Sequence, residues 1–199
     1  MDITIVTGSH RRESNSRHVA NYIANILQRK GHDTYIIDLA ETNIPLWSED
    51  LETNEEKWSS LKECHKKLAK SQALIIVSPE WAGMAPPMLK NFLLLCEAEH
   101  VGHKPALLVG VSSGIGGAYP IHELRSSGYK NSHICYLPDH IIVRNANDAL
   151  RSSQADGDYE HSLRGRINYQ LELLLQYGTA LALVRDSGVI DYEQFRYGM

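Results

Sequence analysis

The sequence predicts an α/β protein: a doubly wound five-stranded parallel sheet of order 2-1-3-4-5, with helices on both faces. Three observations predict it. Five short apolar runs alternate with five stretches of helical periodicity. The chain opens as strand, polar loop, helix. The first, third and fourth runs each end in a loop rich in Gly, Ser or Pro, and in a parallel sheet all three loops surface at one edge.

The first strand is 3–6, Ile-Thr-Ile-Val, β-branched throughout and suited to a buried strand. Gly8 then permits a sharp turn. Ser14 or Ser16 caps the helix that follows, in which Val19, Tyr22, Ile23, Ile26 and Leu27 share one apolar face. Lys30-Gly31-His32 stops it, with Gly31 in the left-handed position. The second strand is 34–39, parallel to the first through a right-handed crossover. Residues 40–54, with Pro45 and Trp47, read as a long connection in which Trp47 plugs the core, lines a pocket or meets another subunit. A second helix is predicted over 55–70.

Residues 73–77 are the most apolar run and so the central strand. The loop after it, 78–87, holds three prolines and a glycine. A helix begins at Pro86 or Pro87, where proline is favoured, and turns Leu89, Phe92, Leu93 and Cys96 inward. The fourth strand, 105–111, runs into 112–117, followed by a helix over 118–127. A fifth strand over 134–143 is interrupted by Pro138. Residues 144–158 are polar and read as a mobile surface loop. A long helix from Tyr159 places Leu163, Ile167, Leu171, Leu174 and Leu181 on its core side. The aromatics Tyr192, Phe195 and Tyr197 suggest that the tail docks on something.

The 199 residues fit a single domain, 1–199. A net charge of −4, with no long run of one sign, recommends neither nucleic acid nor an anionic membrane as partner. No stretch reads as a signal peptide or a membrane span, so a cytoplasmic protein is expected. Cys64, Cys96 and Cys135 are widely spaced and read as buried, inert thiols. None of the ten histidines forms a His-x-x-x-His pair, and no metal site is assigned.

The loop 8–16 is where a phosphate would sit. The first N–H groups of a helix lack internal partners, and the helix dipole makes that end positive. Ser9, Ser14 and Ser16 add hydroxyl donors and Arg11 a guanidinium. The plainer alternative is that the serines only cap the helix and the arginines are solvated; Gly-Ser-x-Arg-x-x-Ser after a buried strand favours the anion site. Neither Gly-Lys-Ser/Thr nor Gly-x-Gly-x-x-Gly is present, so a mononucleotide is indicated over a triphosphate or a dinucleotide. The other two loops offer Gly and Pro backbone to a flat ring. A flat heteroaromatic with a ribityl phosphate tail, such as FMN, fits this division.

Three ordered motifs carry a resemblance: Gly8-Ser9-x-Arg11-x-x-Ser14; Pro79-Glu80-Trp81 with Leu89-Lys90-Asn91; and Ser113-Gly114-x-Gly116-Gly117 with Leu124-Arg125. Together, to about Arg144, the chain resembles the NADPH-dependent FMN reductases, the flavodoxin-like group that includes quinone, azo-dye and chromate reductases. The resemblance implies FMN as cofactor, NADPH or NADH as electron donor, a small-molecule acceptor, and a homodimer or homotetramer with the flavin near a subunit interface. It implies that Ser9, Arg11, Ser14 and Ser16, with Asn15 among them, hold the phosphate. Pro79, Glu80, Trp81, Ala82 and Gly83 would line the isoalloxazine, and Ser112, Ser113, Gly114, Gly116 and Gly117 would border its other side.

The chain departs from the family pattern in carrying Trp81 then Ala82 where Tyr then Asn is usual, and Ser16 where Asn is frequent. Read from the residues alone, Glu80 caps the helix region that follows it as readily as it lines a ring, and Lys90 and Asn91 are structural. His10 and Arg12 face solvent or an incoming nicotinamide phosphate. The cofactor performs the redox chemistry, so no nucleophile or general acid is expected of the protein. Two rivals stand beside the enzyme: an electron carrier, against which the modest charge and the arginine-bearing loop argue, and a flavin-fold subunit without activity, which Ala82 keeps open.

Overall fold

A computed structural model describes residues 1–198. Five strands form one parallel sheet: β1 (Asp2–Thr7), β2 (Asp33–Asp38), β3 (Ala73–Pro79), β4 (Pro105–Val111) and β5 (Cys135–Val143). Their order is β2-β1-β3-β4-β5, the predicted one. β3 lies in the middle and is buried along its whole length, as its unbroken apolar run requires.

The strands alternate their side chains between two cores. Ile3, Ile5, Ile75, Val77, Leu107 and Val109 face α1 (Asn15–Arg29) and α6 (Gly157–Arg185). Val6, Leu74, Ile76, Ala106 and Leu108 face α2 (Ser59–Lys70), α3 (Pro87–Leu94) and α5 (Tyr119–Arg125). Helix α1 is capped by Ser14, whose hydroxyl accepts from the Arg17 N–H, so the cap is the first of the two candidate serines. It ends where the His32 N–H reaches the Leu27 carbonyl across Gly31, at φ +83°.

Several elements differ from expectation. There are six helices among the described residues, because α4 (Ala98–Val101) is a single turn held by a reciprocal cap between Glu97 and His100. Four residues carry too little periodicity to be seen in sequence. Helix α2 starts at Ser59 rather than 55: residues ahead of it turn about Asp50, whose carboxylate accepts from Ser48, Lys57 and the Trp58 indole. Pro138 does not break β5. The pairing steps from Ala106–Tyr136 to Leu108–His140, and this bulge on an edge strand absorbs the proline.

Residues 144–156 are not a free surface loop. Ala146, Ala149 and Leu150 are buried in the core beside α1 and α6, and the Arg164 guanidinium pins the segment's turn by donating to the carbonyls of Ser152, Ser153 and Gln154. Three small apolar residues among polar ones gave no periodic signal, yet they suffice to seat the segment. Helix α6 follows its predicted face through Leu174, but Leu181 is only half-buried because the last turns run past the sheet. In the tail, Tyr192 stacks against His103 and His133, whereas Phe195 and Tyr197 stay exposed.

Candidate functional site

Three hydrogen bonds continue the sheet ladder beyond its strands: Gly8 N to Val77 O, Glu80 N to Val111 O, and Ser112 N to Val143 O, each 2.8 to 2.9 Å. The chain therefore leaves β1, β3 and β4 at the same level, and the three loops enclose one cavity of about 250 Å³. Its lining is Ser9, Arg11, Ser14, Asn15 and Ser16 from the first loop, Pro79, Glu80 and Trp81 from the second, and Val111, Ser112, Ser113 and Gly114 from the third.

The floor is the N-terminus of α1. Gly8 is needed there because a Cβ would lie 2.7 Å from Leu89 Cδ2 of α3. Ser9 is buried, and its hydroxyl accepts from the Arg11 N–H at 3.2 Å. The Ser16 hydroxyl is buried and has no hydrogen-bond partner. A buried hydroxyl without a partner costs roughly 1–3 kcal/mol, and of the six such side-chain groups among the described residues Ser16 is the one that lines this cavity. Beneath it, the buried Asp38 carboxylate accepts from Thr7 and pairs with Arg17 at 2.8 Å, anchoring the first turn of α1 to the end of β2.

Glu80 joins the second loop to the third. Its carboxylate accepts from the Gly117 N–H at 2.6 Å and the Tyr119 N–H at 3.3 Å. It thus caps the start of α5 while standing at the cavity wall. Residues 81–84 form a two-residue turn: Trp81 and Met84 exchange both backbone hydrogen bonds, and Ala82 and Gly83 between them take φ of +49° and +73°. Ala82 and Gly83 lie in this turn rather than in the cavity lining, and Gly116 and Gly117 lie behind Glu80. Trp81 is half-buried, and His10 packs edge-on against it at 4.3 Å.

The motif residues flanking the loops are struts. Lys90 pairs with Glu123 at 2.7 Å, and Glu123 also accepts from the Ala85 N–H. The Lys90 hydrogen bond, then that of Ala85 once burial is set against it, holds the Glu123 carboxyl below its usual pKa. Asn91 clasps the 40–54 connection, donating to the Pro45 carbonyl and accepting from the Trp47 N–H. Trp47 itself is 53% exposed. Arg125 donates to the carbonyls of Pro138 and Asp139.

Sequence reasoning missed Asn147 and Arg151. Asn15 donates to Asn147 Oδ1 at 2.8 Å and to Ser113 Oγ at 3.3 Å, and accepts from Arg151 at 2.7 Å. This latch closes the first loop onto the third through the segment after β5. Its only sequence signal was a polar stretch. A larger cavity of about 480 Å³ lies between α4 and the tail, lined by Leu94, Cys96, Tyr192 and Arg196 among others. It lies away from the carboxyl ends of the strands and holds no group like Ser16, so the chemistry favours the smaller cavity. Among the described residues no cluster of three His, Cys, Asp or Glu side chains is placed to hold a metal. No described helix is long and apolar enough to cross a membrane.

The family model for NADPH-dependent FMN reductases matches residues 1–148, from β1 through the Asn147 end of the latch. A quinone reductase of Pseudomonas putida is 30% identical over 132 residues, which cover 63% of this chain and 68% of that protein. An FMN-dependent NADPH-azoreductase of Staphylococcus haemolyticus is 28% identical over 123 residues, 61% of this chain and 65% of that one. Among solved structures, FerB, a flavoenzyme NAD(P)H:(acceptor) oxidoreductase from Paracoccus denitrificans, has the same fold with a TM-score of 0.69 at 18% identity, covering 88% of this chain and 98% of that one.

Proposed function

Because this chain belongs to the NADPH-dependent FMN reductase family and is an oxidoreductase, we propose that the cavity between the loops after β1, β3 and β4 holds FMN and that the protein passes electrons from NAD(P)H to a quinone-like, azo or free-flavin acceptor. The observation that carries this reading is the buried, unpartnered Ser16 hydroxyl at the N-terminus of α1. It is a donor awaiting an acceptor, beside Ser9, Ser14 and the first free N–H groups of the helix, which is the chemistry a phosphate monoester requires. A cavity of about 250 Å³ suits the ribityl phosphate and one edge of the ring system. Pro79, Trp81 and the side-chain-free backbone at Gly114, which line the same cavity, would hold the rest of the flat ring.

When bound, FMN would supply the two-electron redox chemistry between nicotinamide and acceptor. The chain's own residues bind and orient. Ser9, Ser14 and Ser16 would hold the phosphate through their hydroxyls and Asn15 through its backbone N–H, and the Arg11 guanidinium, exposed at the cavity, would neutralise its charge. Trp81, steadied by His10, walls the ring, and Glu80 fixes the spacing between the two loops that flank it.

In this reading the chain is a single cytoplasmic domain spanning 1–199 and works as a homodimer or homotetramer. Supporting self-association, Leu46, Trp47, Met84, Ile115 and Tyr119 are large apolar side chains left exposed on the protein's surface. The test is the visible spectrum of the purified protein, followed by anaerobic titration with NADPH and with NADH. A yellow protein whose absorbance bleaches on adding the nicotinamide supports the proposal. A colourless protein that takes up no added FMN ends it.

A further inference from the structure

A second cavity, of about 410 Å³, opens beside β5 and the first turns of α6. It is lined by Asp139, His140, Arg144, Tyr159, Ser162 and Arg166, with Pro138, Ile142 and Leu163 beneath. Its charge is net positive, two guanidiniums against the single carboxylate of Asp139. Arg144 and Arg166 have no carboxylate at ion-pair distance among the described residues, and Asp139 is turned to Gln170, from which it accepts at 2.7 Å. Burial, then the neighbouring Arg125, with Arg166 adding to it, holds His140 below its ordinary pKa, against the pull of Asp139. Two guanidiniums left without counter-ions in a concave site describe a place for an anion of high charge density.

The groove also offers an aromatic face. Tyr159 is 42% exposed, yet its hydroxyl is fixed: it accepts from the Arg144 N–H at 2.8 Å and donates to the Arg144 carbonyl at 3.2 Å. Its ring is thereby held rigidly beside the two arginines. A phosphate joined to a flat base would match both features.

The groove is next door to the first cavity. Arg144 Nε donates to the Ile115 carbonyl at 2.7 Å, and the Asn145 N–H donates to the carbonyl of Gly114, a residue of the first cavity's lining. One loop separates the two. We infer that this groove receives the phosphorylated adenosine end of the electron donor, with Arg166 and Arg144 on the 2′-phosphate and Tyr159 against the adenine, while the nicotinamide reaches over the 112–117 loop to the first cavity. The inference rests on the reading of that cavity as the flavin site, and it makes the protein discriminate NADPH from NADH. Arg11 and Arg12 are the competing cations; Arg11 lines the first cavity, where the flavin's own phosphate would take its charge, and Arg12 is exposed outside that lining, so it is the rival the test must separate.

The test uses the full chain saturated with FMN and the substitution Arg166→Ala, since Arg166 is exposed and has no structural partner among the described residues, whereas Arg144 also holds the loop. Calorimetry with 2′,5′-ADP, 5′-AMP and inorganic phosphate reads the site without turnover. The expected result is that Arg166→Ala weakens 2′,5′-ADP about tenfold, the scale of removing one charge-assisted hydrogen bond from a partly exposed site, and lowers kcat/KM for NADPH relative to NADH by a similar factor. Arg166→Lys recovers part of the loss. Equal loss for both nucleotides, no loss, or a selective effect of Arg12→Ala with Arg166→Ala silent overturns the assignment. Inorganic phosphate binding as tightly as 2′,5′-ADP, in an Arg166-dependent way, marks a free-anion site and overturns it too. If the protein takes no FMN but still binds 2′,5′-ADP through Arg166, the flavin reading falls while the groove stands. If FMN binds and NADPH is oxidised with no dependence on Arg166, the groove assignment falls alone.

Discussion

Ser16 and Ala82 are two single residues where the local rules are broken, and each break points at the site. The Ser16 hydroxyl is buried without a partner, which destabilises the ligand-free chain by roughly 1–3 kcal/mol. Ser16→Ala is therefore expected to raise the melting temperature of the flavin-free protein while weakening FMN binding about tenfold, a loss of roughly 1.4 kcal/mol. Parallel changes in both quantities would show that the hydroxyl is not reserved for a ligand. Ala82 takes the left-handed conformation at φ +49°, followed by Gly83 at +73°. Both residues at positive φ make a type I′ turn, for which Asn-Gly is the favoured pair. Ala82→Asn should stabilise the protein by about 0.5–1 kcal/mol, read as a higher denaturant midpoint, and Ala82→Val should lower it. An unchanged midpoint in both would mean that the turn relaxes at no cost.

Between elements, the site depends on ties that span the loops. Glu80 links the loop after β3 to the Gly117 and Tyr119 N–H groups at the head of α5. Glu80→Ala strands both donors and frees the 112–117 loop, so FMN affinity should fall by about tenfold or more while the fold persists, as measured by flavin fluorescence quenching and circular dichroism. Unaltered affinity would reduce Glu80 to a helix cap. Asn91 ties α3 to the 40–54 connection by two hydrogen bonds from a buried amide. Asn91→Ala leaves the Trp47 N–H and the Pro45 carbonyl without their partner, at a cost of roughly 1–3 kcal/mol. Limited proteolysis should then cut first within 40–54; cutting first elsewhere would show that the clasp does not hold that segment.

For the molecule as a whole, acid is the condition to which the fold is most exposed. His65 of α2 and His100 of α4 stack at 3.7 Å, and burial, then the neighbouring His100, pushes His65 down to about 4. His18, His100, His103 and His140 are lowered too, each chiefly by burial. The unfolded chain takes up these protons near the ordinary histidine value of about 6.5. Between there and about 4 it binds protons that the folded chain does not, so stability is full above that window and falls as pH drops through it. The urea midpoint should decline between pH 7 and pH 5, with a shallower slope in His65→Phe. A flat profile would mean that these rings accept protons in place.

Much of this molecule was legible along the chain because periodicity is a local property. The central position of β3 followed from an unbroken apolar run, a helix start at Ser14 or Ser16 from serines before an amphipathic face, and the meeting of three loops at one edge from the parallel alternation itself. The sequence also carried the family's motifs in order, and with them most of the residues that line the first cavity. What it could not carry were features made by residues far apart and without period. The single turn of α4, the bulge that absorbs Pro138, the burial of Ala146, Ala149 and Leu150, and the Asn15–Asn147–Arg151 latch all arise from packing between distant segments. So does the pairing of Arg144 and Arg166 with Tyr159 in one groove. A chain's own spacing fixes which residues share a strand or a helix face; only packing decides which unpartnered hydroxyl or guanidinium is left facing a cavity.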